Sequence, residues 1–576
     1  MKRVLEFLFL SVIVVISSSC NIDEEITTSL PPKITLDSES GVYTVKQGRE
    51  IVIAPIYESV DEATYKWTMD GRLLGNEPSL TFMREECGEY YIVLTVTTSA
   101  GSDSEELRVD VVELEIPTIS IAGSKNQTVA LGTVVKLNAT VRESSLETNI
   151  KWTLDGEPMA TDDELSCSFE TFAVGSFTIT ATATNEDGEH SDTVYITVLN
   201  AEDMPFVWDF DSTAYHTVAG RKLRIRPSKL SNSESVRYTW QLDNGDAIEG
   251  DASYIFTSDT VGEHTITATA TTTKGGEQIT LTHKFTVAVY EEGAFYRPQS
   301  GASKADWNKV YEYTPAPGQF INELKTGGFD GSHTTAQAAI TYAEGRLKDS
   351  NWISLGGFGG YVIVGFDHSI DNTGDYDFGV IGNAFDGSSE PGVVWVMQDE
   401  NGNGLPDDTW YELAGSESDK SETIRNYAVT YYRPSGAGMP VQWTDNMGNS
   451  GEIDYLSQFH TQDYYYPLWI EKDSYTLVGT RLEARNYDKS GNGSYWVQPH
   501  YDWGYADNFS PSDFKSSDKA NLFKISNAVD FEGQKVNLTH IDFVKVQCAV
   551  NAKSGWLGEL STEVCGFYDC SLKNNK

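Results

Sequence analysis

The chain reads as almost wholly β: three β-sandwiches in tandem, then one large β-sandwich or jelly-roll domain with a single helical insert. Three observations predict this. A tryptophan motif returns as YKWTMDG at Trp67, IKWTLDG at Trp152 and YTWQLDNG at Trp240, at intervals of 85 and 88 residues. After each comes a glycine-led run in which Tyr90, Ile92, Leu94 and Val96, then Phe177, Ile179, Ala181 and Ala183, then Ile266, Ala268 and Ala270 alternate with mostly polar residues. Period-two alternation marks a strand with one buried face. From about Phe295 the repeat stops, and short apolar runs such as YVIVGF, GVVWVMQ and IDFVKVQCAV stand between long polar loops rich in Gly, Tyr, Trp and Asn.

The elements follow in chain order. Residues 1–19 open with Lys2 and Arg3, and their apolar stretch, Val4 to Ile16, is broken only by Glu6 and Ser11. It is too short to span a bilayer permanently and has the layout of a cleaved signal peptide. The small residues ending at Cys20 resemble a bacterial lipobox, which implies that Cys20 becomes the lipidated first residue. Ser17 departs from that pattern, which carries a larger aliphatic residue there. In the linker, residues 20–30, Asp23, Glu24 and Glu25 resemble the surface-export signal of Bacteroidetes lipoproteins. The expectation is a protein on the outer face of an outer membrane, held by lipid alone.

Residues 31–114, 115–200 and 201–290 form the three repeats. Each Trp fills the space between two sheets, and the DG or NG after it turns the chain back. The pattern W-x-x-D-G followed by G-x-[YF]-x-[IV]-x-[LV] resembles PKD-type immunoglobulin-like domains, which implies spacers. Three such modules in a row would lift a working domain by about 100 Å, at about 3.3 Å per strand residue.

In residues 291–576 one helix is predicted, within SHTTAQAAITYAEGRLKD, with Ser332 or Thr334 as N-cap and Ala336, Ala339, Ile340, Ala343 and Leu347 on one face. The loops carry the candidate chemistry. In DENGNGLPDD, Asp399, Asn401, Asn403, the Leu405 carbonyl, Asp407 and Asp408 approximate a calcium loop, in which alternate oxygens converge and glycine permits the sharp turn. Trp410 stands where an EF-hand carries its bidentate Glu, so the likeness is closer to thrombospondin-type loops; the competing reading is a solvated Asn-Gly hairpin. DKSGNGSY, with Asp488, reads better as a turn. DNTGDYDF gathers Asp371, Asp375 and Asp377 as a cation site or a polar connection.

Aromatic residues crowd DYYYPLWIE and SYWVQPHYDWGYADN. Trp469, Tyr495, Trp496, His500, Tyr501, Trp503 and Tyr505 would form a stacking platform for a flat or sugar-like ligand, with Gln498, Asp502 and Asn508 fixing its orientation. The alternative is a Tyr-rich loop covering the core. The four glycines from Gly356 to Gly360 precede a strand rather than a helix, which favours a close backbone crossing or bulge over a phosphate cradle.

Composition narrows the function classes. With 42 basic and 85 acidic residues the formal charge is -43. Such a surface repels nucleic acid and anionic headgroups and suits divalent cations. Six cysteines, Cys20 included, contain no CxxC pair, so a thiolate zinc site is not expected; Cys548 could pair with Cys565 or Cys570, and Cys87 and Cys167 read as buried apolar residues. There is no HExxH and no GxSxG, and carboxylates are too abundant for a glycosidase pair to be nominated. Of the nine histidines only His368 and His500 stand beside candidate chemistry.

The stretches EYTPAPGQFIN, WISLGGFGGYVIVGFDHSIDN, DFGVIGNAFDGSSEPGVVWVMQDENGNGLPDDTWYELAGSE and GWLGELSTEV resemble a family of Bacteroidetes cell-surface lipoproteins with PKD-like N-terminal modules. The resemblance runs from Tyr313 to Asp569. It implies surface capture of a scarce nutrient, a corrinoid such as vitamin B12 or a glycan, for a TonB-dependent transporter or its partner lipoprotein, and it transfers no catalytic residue. A surface glycan hydrolase and a purely structural adhesin are the alternatives.

Overall fold

The computed structural model describes residues 30–142 and 144–573. Cys20, the signal segment and the acidic run therefore lie outside the described residues. The chain divides into two compact units, Met1–Glu115 and Ile116–Lys576.

The first unit is one sandwich. Its five-stranded sheet runs Val42–Lys46, Gly101–Val112, Gly88–Thr98, Thr64–Met69, Arg72–Gly75, with the first pair parallel and the others antiparallel. Facing it are two short pairs, Lys33–Thr35 with Ile56–Glu58 and Ile51–Ile53 with Leu80–Phe82. Trp67 is fully buried between these layers, and its indole N–H donates to the Glu77 carbonyl at 2.8 Å. That bond lets a polar ring edge enter the core without losing a partner. Asp70 and Gly71, with φ of 48° and 76°, join Met69 to Arg72 as the tight hairpin turn that Asp-Gly favours.

The second unit opens with the other two repeats, which keep the same five-strand order. Trp152 and Trp240 are buried as Trp67 is, donating to the carbonyls of Glu164 and Asp251. In the third repeat Asp-Asn-Gly replaces Asp-Gly, and the turn lengthens: Trp240 pairs with Ile248, and Gly245 N–H closes on the Leu242 carbonyl.

These two repeats are not spacers in a row. The second is tied to the C-terminal domain by the Ser435 hydroxyl, which donates to the Ile119 carbonyl, and by Gln442 against Thr140. The third is tied to it by Arg221, which reaches Gln398 and Glu400, by Lys222 on Glu532 and by Arg226 on Asn426. A tandem repeat pattern carries no information about such lateral contacts.

In the C-terminal domain a six-stranded sheet, ordered Lys309–Thr314, Tyr361–Asp371, His540–Cys548, Gly392–Met397, Tyr411–Leu413, Ala528–Val529, lies over a four-stranded sheet built around Phe378–Ile381. Val364, Val394, Val396, Val544 and Val546 of the first share one core with Phe378, Val380, Phe523 and Phe567 of the second. The helix, Ala336–Lys348, adds Ala339, Ala343 and Leu347 to that core. Its N-cap is Thr335, whose hydroxyl accepts the Ala338 N–H, one residue from the expected Thr334, and Ala336 is exposed. A third sheet, spanning residues 424–481, packs Tyr427, Val429 and Tyr431 against Phe358. The glycine run makes a backbone crossing: a Cβ on Gly356 would lie 2.0 Å from the Ala316 carbonyl oxygen, and one on Gly360 1.8 Å from that of Leu355.

Candidate functional site

One cleft of the C-terminal domain gathers water-exposed rings. Phe385, Phe459, Tyr495 and Trp556 are 63%, 52%, 55% and 47% exposed, and all four line the same cleft of about 740 Å³. Each comes from a different loop. Phe385 opens the turn Phe385–Ser388 after the strand Phe378–Ile381; Phe459 lies in the loop after Ile453; Tyr495 begins the return of the Tyr487–Asp488 hairpin; Trp556 tops the 3-10 turn Gly555–Leu557. Trp496 completes the wall, its indole N–H donating to the Gly493 carbonyl at 3.2 Å and its ring lying against Gly555. The Phe459 and Trp556 centroids are 5.8 Å apart. Exposed rings concentrated at one concavity are what a ligand site requires and what core packing does not produce.

The floor is acidic. Carboxylate oxygens of Glu390, Asp507 and Glu563 lie within 4.8 Å of one another, the only such group of acidic, His or Cys side chains among the described residues. Asp507 is a tie: Oδ1 accepts the N–H groups of Asn383 and Ala384 at 2.9 and 2.8 Å, and Oδ2 accepts that of Glu563 at 2.9 Å. Glu390 and Glu563 hydrogen-bond to each other, and the Ser561 hydroxyl donates to Glu563. Burial first, and then mutual repulsion, raises the proton affinity of the group, because three like charges so close and so dry cannot all ionise. The floor therefore offers carboxylic O–H donors as well as acceptors. With Asp507 committed to three amides, Glu390 and Glu563 are the members open to a ligand or ion.

The expected aromatic platform divides. Tyr495 and Trp496 are in the cleft wall, but Trp469 is buried against Tyr313 and Phe329, with centroids 5.9 and 6.0 Å away. Tyr501 and Tyr505 are 1% and 2% exposed; the Tyr501 hydroxyl donates to the Glu483 carbonyl, and that of Tyr505 accepts the Glu417 N–H. A phenol with an internal partner enters the core at little cost, so these rings pack rather than present. Trp503 lines a separate small hollow beside Tyr376 and Lys524. His500 is exposed and uses its carbonyl to accept from Arg485. Sequence reading missed Phe385, Phe459, Trp556, Glu390, Asp507 and Glu563. The available signal was an aromatic residue in a polar or Gly-rich loop, as in AFDGSS, SQFHT and SGWLGE.

The Asp399–Asp408 loop joins strand Gly392–Met397 to Tyr411–Leu413. Successive side chains close on the backbone: Asp399 Oδ2 accepts Gly404 N–H, Asn401 Oδ1 accepts Asn403 N–H, and Asn403 Oδ1 accepts Leu405 N–H. The Asn401 and Asn403 amide groups donate to Asp407 and Asp408 at 3.0 to 3.3 Å. Asp399 is 5% exposed and its Oδ1 has no partner. Burial, then the charges of Asp407 and Asp399, pushes the Asp408 carboxyl up to about 7 against the Glu400 amide that donates to it. The buried Asp399 Oδ1 is an unsatisfied oxygen of the kind a hard cation would relieve, but Asp399, Asp407 and Asp408 do not bring carboxylate oxygens within 4.8 Å of one another as Glu390, Asp507 and Glu563 do. Glu400, absent from the calcium pattern, is buried and ion-paired to Arg221 at 3.1 Å.

The other candidate groups are structural. Asp488 is taken by Ser490 and Gly493, and Asp377 by Thr373 and Ile525. His368 is buried between Asp367 and Asp569 at 2.6 and 2.8 Å. All five described cysteines are free, so Cys548 pairs with neither Cys565 nor Cys570, and Cys87 is exposed rather than buried.

Among known families, the one described as PKD-like domain matches residues 31–98. No curated protein matches the chain. Among solved structures, the titin I-band fragment I67-I69 is 15% identical over 45% of this chain and 98% of its own, with a TM-score of 0.20. The three N-terminal domains of the bacteriophage RB49 outer capsid protein Hoc are also 15% identical, over 45% and 99%, at 0.21. Fibronectin(III)-like modules of Clostridium thermocellum CbhA are 17% identical over 30% and 98%, at 0.18. Similarity of that degree adds nothing to the architecture read from the sheets. The chain is a tandem array of immunoglobulin-like sandwiches, the first matching the PKD-like family, joined to a large β domain.

Proposed function

We propose that this protein is a lipid-anchored surface protein of an outer membrane. It captures a small nutrient, a corrinoid or a glycan, in the aromatic cleft and passes it to a TonB-dependent transporter. The observation that carries the reading is the convergence of Phe385, Phe459, Tyr495, Trp496 and Trp556 on one acid-floored cleft. Rings give stacking surface, while Asn383, Gln498 and the carboxyl groups of Glu390 and Glu563 give polar contacts that fix orientation. Tandem PKD-like and immunoglobulin-like domains suggest an extracellular adhesion-type or structural role, and no helix among the described residues is long and apolar enough to cross a membrane.

Calcium is the proposed cofactor. Asp399, Asn401, Asn403, the Leu405 carbonyl, Asp407 and Asp408 would hold it and brace the strand junction. Its role is structural.

Isothermal titration of the chain from Cys20 onward against cobalamin and a panel of host and plant glycans, with and without chelator, tests the reading. Saturable heat from one ligand class is expected; silence across the panel overturns capture at this cleft. A hydrolase reading has the Glu390 and Glu563 pair in its favour, but the two hydrogen-bond to each other and leave no room for a glycosidic bond between them. Turnover of any glycan in the panel would establish that reading instead.

A further inference from the structure

A second concavity lies between the third repeat and the C-terminal domain, a cavity of about 390 Å³ with Asp407 and Asp408 in its wall. Its wall is unusual for this chain. The segment RKLRIR buries Leu223 and Ile225 in the third repeat, so period two sends Lys222, Arg224 and Arg226 the other way, into the cavity wall. The facing domain adds Arg425 and Lys545. Lys222 is paired with Glu532. Arg224, Arg226, Arg425 and Lys545 have no carboxylate within 4.0 Å among the described residues. In a chain with 85 acidic and 42 basic residues, four cations without a carboxylate partner around one cavity run against the composition, Arg226 donating to the neutral Asn426.

The acids in the same wall are already engaged. Glu412 accepts the Thr480 hydroxyl, Asp530 accepts the Glu532 and Gln534 N–H groups, Asp407 the Asn403 amide, and Asp408 the Glu400 N–H. The cations meanwhile sit on rings: Lys545 Nζ is 4.9 Å from the ring centroids of both Trp395 and Trp410, and Arg224 lies over Phe531 at 5.5 Å. Ring faces hold cations weakly and leave their N–H donors free, which is how an anion site is kept open. Burial pushes the Lys545 ammonium down to about 8, with Glu312 and Glu412 opposing and Arg226 adding. Burial and the neighbouring Arg224 likewise lower Arg226. An entering anion would favour the charged forms of both groups, which burial now opposes.

We propose that this cavity binds a small ligand bearing a tetrahedral or carboxylate oxyanion. Arg224, Arg226, Arg425 and Lys545 hold the charged group, and Trp410 and Phe531 flank the remainder. Guanidinium forks match phosphate, sulfate and carboxylate oxygens in pairs, which gives the site direction as well as charge. It is separate from the aromatic cleft, sharing no lining residue with it.

The test is titration of the chain from Cys20 onward with pyrophosphate, sulfate and citrate at low ionic strength. At least one is expected to bind saturably and to weaken as salt is added. The double variant Arg425→Gln/Lys545→Met should lose about tenfold or more in affinity, and Arg224→Gln alone, which perturbs less packing, should lose affinity in the same direction. Trp556→Ala, in the other cleft, should leave this binding unchanged. Which probe binds best identifies the oxyanion class. No binding of any probe, or affinity unchanged in both sets of variants, overturns the proposal.

Discussion

The aromatic cleft and the interdomain cavity both set rings beside charged groups, but of opposite sign. The cleft sets Phe385, Tyr495 and Trp556 above Glu390 and Glu563; the cavity sets Trp395, Trp410 and Phe531 beside Arg224, Arg425 and Lys545. The cleft is assembled from loops of one domain and tolerates its acids by sharing protons. Bases are scarce here, so a cationic wall needs two sources, and the cavity takes strand residues of the third repeat and closes them against the large sheet. Sign of charge thus follows assembly: an acidic site arises within one domain of an acidic chain, whereas a basic one is made by docking.

The sharpest way to break that contrast is Arg221→Ala. Arg221 joins the third repeat to buried Glu400, so its loss leaves that carboxylate unpaired, a cost of about 3–5 kcal/mol for a buried pair. Hydrogen exchange should show lost protection around 398–413. Oxyanion binding should collapse while cleft binding survives; equal loss at both sites would mean the two are not independent.

Calcium comes next. At a concentration of about 100 times Kd it should add about 2.7 kcal/mol to stability, read as a rise in Tm that chelator reverses. Asp399→Asn should abolish the rise. A Tm indifferent to calcium removes the ion from this loop.

Truncating two cleft rings, Tyr495→Ala with Trp556→Ala, should cost about 1–3 kcal/mol of ligand affinity and move Tm little, because both side chains are about half exposed. A large fall in Tm with binding intact would make them packing residues.

A separate effect is a pH dependence near the cleft. Burial, with Glu390 adding, raises Glu559 to about 8 from a usual 4.5. A carboxyl whose folded pKa is raised binds more protons folded than unfolded between those values, so stability is highest at low pH and falls as pH rises from about 5 to about 8. The slope is about 1.4 kcal/mol per pH unit at most. Thermal melts across that range should show the decline, and Glu559→Gln should flatten it.

Much of this was legible beforehand because it is local. A tryptophan four or five residues from a glycine turn, followed by apolar residues at every second position, has one economical outcome, and Trp67, Trp152 and Trp240 all reached it. The Gly356–Gly360 run before a strand pointed to a backbone crossing or bulge, and the helix was misjudged at its cap, where Thr334 and Thr335 offer the same hydroxyl, and at Ala336, which is exposed. Loop aromatics were legible in kind but not in fate. Nothing in SYWVQPHYDWGYADN separates Tyr495, which stays open, from Tyr501, which finds the Glu483 carbonyl. RKLRIR was a missed signal: four cations in six residues of an acidic chain, alternating with apolar residues, announce a strand with one charged face.

Sequence alone determined the sandwich repeats, their buried tryptophans, their turns and the overall charge, because periodicity and backbone preference act between residues near one another. Tertiary structure decided which rings face water, that Glu390, Asp507 and Glu563 meet, and that the third repeat lends its arginines to the neighbouring domain. Those outcomes depend on contacts between segments far apart in the chain, such as Arg221 with Glu400 and Asp507 with Glu563. There the free energy of pairing a buried polar group outweighs any local preference.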